Sequence, residues 1–146
     1  MSEFRIEFDP PVPPAPHRYS KISLDRLQCD QITRAFSQEY DVIYCIDDKQ
    51  FRYYPASILT VINDIHWEWE FAKRRESHNM TLSGYTVLDL VFTGEKAQFF
   101  DPITPSQSSG KNPVGSEISA GATEVAFKSA LDTLLYLIDY DDHETV

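Results

Sequence analysis

Two apolar runs decide most of what this chain can become. Residues 40–46 read YDVIYCI and residues 85–92 read YTVLDLVF. Both are dense in β-branched and aromatic side chains, the signature of interior strands. Each is followed by a turn sequence and a short return. Asp47-Asp48-Lys49-Gln50 leads into residues 51–54, and Thr93-Gly94-Glu95-Lys96 leads into residues 97–100. A strand, a turn and a return make a β-hairpin. Two hairpins argue for antiparallel pairing over β-α-β crossovers.

The remaining segments fit around these hairpins. Phe4, Ile6 and Phe8 alternate with Arg5 and Glu7, which predicts a short strand over residues 3–8. Leu24, Leu27, Ile32, Ala35 and Phe36 recur at helical spacing behind a capping Ser23, predicting a helix over about 24–38. Pro55 suits a helix entry, and Ile58, Val61, Ile62, Ile65, Trp69 and Ala72 form one stripe of a helix reaching about residue 77. The last helix is expected within residues 123–144, capped by Thr123, with Phe127, Ala130, Leu131, Leu134, Leu137 and Ile138 as its core stripe. Residues 9–16, DPPVPPAP, carry five prolines, which remove backbone donors and favour a stiff extended crossing. Residues 101–122 are rich in Pro, Ser and Gly and predict a long loop.

The expected fold is one α+β domain over residues 1–146. It has an antiparallel sheet of about four or five strands and two or three packed helices. A chain of 146 residues with 13% aromatics can bury a real core and is not a disordered composition.

Charge narrows the function classes. The chain carries 13 basic and 23 acidic residues, a formal charge of -10. Residues 112–146 hold seven acids and one base. This skew disfavours nonspecific binding to nucleic acid or an anionic membrane and favours a basic protein partner. Acidity also keeps a protein soluble, which is the plainer reason for it. Cys29 and Cys45 lack metal or redox spacing, the N-terminus lacks a secretory apolar run, and no stretch is long enough to span a bilayer. A cytoplasmic location is the expectation.

No catalytic or cofactor motif is complete in the sequence. Ser108-Ser109-Gly110-Lys111 echoes a phosphate loop, but position 105 is Pro and Asn112 follows the lysine. His66, Glu68 and Glu70 resemble an acid-base or metal cluster, with His78 as the nearest extra ligand. The count falls short of the three or four protein ligands zinc requires. No metal, cofactor or catalytic residue is expected.

Two surfaces stand out instead. On the last helix, Asp132, Tyr136, Asp139 and Tyr140 gather opposite the core stripe, and Asp141 and Asp142 crowd the negative end of the helix dipole. These acids would attract a cationic partner, or would pair internally with Lys73-Arg74-Arg75. On the earlier helix, Trp67 and Phe71 form an i, i+4 pair opposite the isoleucine stripe. Core burial is the default for such a pair; exposure would make it a contact surface or dimer seam. The expected function is a small acidic binding module that occludes a basic protein, in its sharpest form an immunity or antitoxin-like inhibitor. The alternatives are a chaperone for a secreted effector, with Trp67 and Phe71 in an open groove, and a small enzyme or ligand-binding domain with a carboxylate-His pocket.

Overall fold

The computed structural model describes residues 3–9, 11–12, 39–53, 55–82, 84–101 and 112–138. The elements run β1 (Phe4–Asp9), β2 (Glu39–Ile46), β3 (Lys49–Arg52), β4 (Ala56–Ser57), α1 (Ile58–Lys73), β5 (His78–Leu82), β6 (Tyr85–Thr93), β7 (Lys96–Asp101), β8 (Asn112–Ser119) and α2 (Ala120–Ile138). They make a single small α+β domain with two antiparallel four-stranded sheets. In the first, β2 lies between β1 and β3, and β4 continues the pairing along β2 at Tyr40↔Ala56. The second is a meander in the order β5-β6-β7-β8. The expected helix over 24–38 and residues 102–111 of the expected loop lie outside the described residues, as does most of the proline-rich segment.

Both apolar runs form inner strands, β2 and β6, each with its hairpin partner. Two other strands run through segments that read as something else. The stretch expected to end α1 near residue 77 turns earlier. Arg75 adopts a left-handed φ of 54°, and β5 begins at His78 with Met80 and Leu82 inward and Asn79 and Thr81 outward. The second half of the expected loop is β8, where Val114 and Ile118 face the core between exposed neighbours. Pro113, Gly115, Ser116 and Ser119 disguise the strand as loop composition, and alternation breaks at the exposed Ser116, where the register against β7 shifts. The helix after it starts at Ala120 rather than 123. Ser119 Oγ caps it, accepting from the Ala122 amide at 3.2 Å, while Thr123 is buried and donates its hydroxyl to the Ser119 carbonyl at 3.0 Å.

One core joins the sheets to the helices. Phe4 of β1 meets Phe99 of β7 at 4.7 Å between ring centroids and Phe127 of α2 at 5.4 Å. Tyr44 of β2 meets Phe127 edge-on at 6.5 Å. On the first helix, Ile58, Val61, Ile65 and Ala72 of the expected stripe are buried, and Ile62 and Trp69 pack against the core's margin. Ser57 caps that helix, accepting from the Thr60 amide at 3.4 Å.

A second tie runs through Asp47, in the turn between β2 and β3. Its Oδ2 accepts from the Ser116 amide of β8 at 3.0 Å, and its Oδ1 from the Glu3 amide at 2.9 Å. Those two bonds, Ser116 first, hold its carboxyl below the usual range. The close approach requires a glycine at 115, which has a φ of 70°. A Cβ there would lie 2.7 Å from Ile46 Cγ2 and 2.9 Å from Asp47 Oδ2. Gly115→Ala is therefore expected to destabilise the fold by about 1–3 kcal/mol. Urea denaturation checks this, and an unchanged midpoint would show that the contact is not needed.

Candidate functional site

The outward face expected on the last helix is not outward at Asp132. That residue is only 6% exposed and forms an ion pair with Lys128 one turn earlier. The Lys128 ammonium in turn lies 5.1 Å from the centre of the Trp69 ring, so α1 flanks this side of the last helix. Tyr136 is half-buried and packs against the core. Asp139, Tyr140, Asp141 and Asp142 lie outside the described residues. The basic trio, for its part, is engaged by other acids. Lys73 lies 3.0 Å from Glu70, Arg74 lies 3.0 Å from Glu76, and Arg75 reaches Glu124 at 2.8 Å and Glu95 at 3.3 Å. Arg75 also donates to the Ala72 carbonyl at 2.6 Å, stitching the end of α1 to the start of α2.

Trp67 reverses the default of burial. It falls outside the buried stripe of α1 and is 49% exposed, with Leu59 exposed two turns before it on the same helix. Phe71 behaves differently from its expected twin. Its ring stacks on the His78 imidazole, with centroids 4.2 Å apart and planes at 22°, and the Arg74 guanidinium lies 5.4 Å from it. Trp67 touches this stack at its edge, 6.5 Å from the Phe71 centroid.

Beneath that face sits a carboxylate in the apolar stripe. Glu68 is 3% exposed and contacts His78 Nε2 directly. The Thr81 amide also donates to it. The other ring nitrogen, His78 Nδ1, lies 2.9 Å from the Glu76 carbonyl, which fixes the tautomer with that hydrogen donated. Burial pushes the Glu68 carboxyl up, against the opposing pull of His78. Burial pulls the His78 imidazole down, but the bond and the charge of Glu68 outweigh it, leaving His78 above its ordinary value.

The acid-base cluster read from the sequence is thus dispersed. His66 packs edge-on to Trp67 and Trp69, Glu70 faces Lys73, and only Glu68 is buried with a histidine. That histidine is His78, the first residue of β5. The signal for it was an acid at a core position of α1, three residues after Ile65 and four before Ala72. A buried acid there needs a partner.

An open groove of about 430 Å³ runs between β1 and α2, with Ile6 and Phe8 on one wall and Ala126 and Ala130 on the other. Its two ionisable residues, Arg5 and Glu7, pair with each other at 2.7 Å. Among the described residues, no three His, Cys, Asp or Glu side chains are placed to hold a metal ion, and no helix is long and apolar enough to cross a membrane. Cys45 is buried in β2, where burial pushes its thiol up and away from reactive thiolate. No protein-family model, curated protein or solved structure matches this chain.

Proposed function

We propose that this chain is a protein-binding module that docks a basic protein through the outer face of α1, with Trp67 as its anchor. The observation that carries the reading is the exposure of Trp67 on a rigid helix packed into the core. Tryptophan is the residue type most enriched at binding hot spots, and a helix presents it at little entropic cost. The net charge of -10 supplies the complement, a long-range field that draws in a cationic surface. The charges around Trp67 are locally balanced, Glu70 against Lys73 and Glu76 against Arg74. The tryptophan therefore sets how long the complex lives, and the chain's overall charge sets how fast it forms. Occlusion of a basic enzyme's cleft, as an inhibitor of the immunity or antitoxin type, is the sharpest form of this reading.

The competing readings have less geometric support. An effector chaperone would offer Trp67 and Phe71 as one open groove, whereas Phe71 lies between His78 and Arg74. A carboxylate-His pocket would bring His66, Glu68 and Glu70 together, whereas Glu68 is buried against His78, away from His66 and Glu70 on the outer side of α1.

The test is photo-crosslinking from the exposed position 63, one turn before Trp67 on α1, in host lysate, followed by affinity measurement with the purified partner. Trp67→Ala is expected to weaken binding by at least about tenfold, with stability unchanged to within about 0.5 kcal/mol. Tyr85→Ala, an exposed aromatic on β6, serves as the control and is expected to leave binding intact. Added salt is expected to lower the association rate. Equal affinity for Trp67→Ala, an acidic partner, or a cross-link to a second copy of this chain would each overturn the proposal.

A further inference from the structure

We infer that Glu68 and His78 form a proton-held clasp, in which one proton between them fastens β5 to α1 beneath the Trp67 face and its loss loosens that junction. Three geometric facts carry this. The two side chains touch beneath the surface, the Glu68 side chain 4% and the His78 side chain 9% exposed. The Nδ1 hydrogen of His78 is committed to the Glu76 carbonyl, so Nε2 alone faces the carboxylate. The ring lies flat on Phe71, whose π face favours a cation. With the proton present, a buried carboxylate faces an imidazolium. When the proton passes to solvent, the carboxylate stays buried beside a neutral ring.

The titratable groups around the pair offer no substitute charge. Asp64 lies one turn earlier on α1, the Tyr44 phenol approaches from β2, and Glu76 precedes β5. Two are acids and the third is an acid when it titrates. Arg74 stands across the Phe71 ring and pairs with Glu76. The least costly response to an unpaired Glu68 is for the start of β5 to part from α1 and admit water.

The sign of the effect follows from proton binding. Glu68 and His78 both hold a proton more tightly in the folded protein than in the unfolded chain. The clasp is therefore fully closed below the ordinary imidazole value of about 6.5 and opens as pH rises through the raised value of His78.

The test uses the full chain. The His78 ring is titrated by NMR, and amide exchange is followed on His78–Leu82 across the same pH range. The expected midpoint lies above about 6.5. Past it, the β5 amides are expected to exchange at least about tenfold faster than base catalysis alone requires, while those of the β6–β7 hairpin do not. Glu68→Gln cannot hold the charge, so it is expected to lower the His78 midpoint and remove the step. A midpoint at or below the ordinary value, or β5 exchange without a step at that midpoint, overturns the clasp. So does Glu68→Gln with the step retained. Both wild-type readouts decide the matter even if the variant does not fold.

Discussion

Replacing His78 with Ala is expected to remove about 3–5 kcal/mol of stability at neutral pH, because it leaves a buried carboxylate with no counter-charge. Glu68 sits on the core side of α1 between Ile65 and Ala72, where water cannot easily reach it. The Thr81 amide still donates to it, but one neutral bond does not replace a cation. Glu68→Ala strands the imidazole instead, and His78 can then remain neutral with its Nδ1 hydrogen on the Glu76 carbonyl. That change is expected to cost less than His78→Ala. The combined Glu68→Leu, His78→Leu variant is expected to recover most of the loss, since an apolar pair of similar volume carries no desolvation penalty. Urea denaturation of all three variants checks the order. A His78→Ala cost below about 1 kcal/mol, in the range of an exposed pair, would mean that Glu68 is solvated and the clasp is not buried.

Phe127→Ala is expected to cost a comparable about 3–5 kcal/mol. The ring is fully buried on α2 and touches Phe4 and Tyr44 of the first sheet, while Phe4 in turn touches Phe99 of the second. Its removal leaves a void at the point where both sheets and the helix meet. Wild type is expected to unfold in one transition, with the backbone amide signals of both sheets lost together. Two separated transitions would show that the sheets do not share a core. A cost below about 1.5 kcal/mol would show that the site collapses around the gap.

The elements that were legible are those whose burial follows a single period. YDVIYCI and YTVLDLVF declare themselves by apolar run, and the stripe from Ile58 to Ala72 by its steps of three and four. The strands β5 and β8 were hidden because only two residues in each face the core, amid Asn, Thr, Gly and Ser that also favour turns. Arg75 ends α1 through a left-handed residue, and no glycine advertised that stop. The site divides along the same line. Trp67 and Phe71 were found by spacing, but their difference in exposure depends on His78 arriving from another strand. Asp132 projects outward from its own helix, yet it is buried and paired with Lys128 on the flank where Trp69 of α1 arrives. A helical projection reports where a side chain points and is silent on which neighbour lies there.

The junction of Phe4, Phe99 and Phe127 has a consequence for the order in which the chain is made. A growing chain presents β1, the first hairpin and the second hairpin before any of α2 exists. At ordinary rates of synthesis, a few seconds separate the appearance of Phe99 from that of Phe127. Through that interval Phe4 and Phe99 can meet each other, but the place Phe127 fills beside Phe4 and Tyr44 stays open to water or to some other chain. The interior is sealed by the element made after both sheets, so a nascent chain keeps an open aromatic seam until α2 emerges.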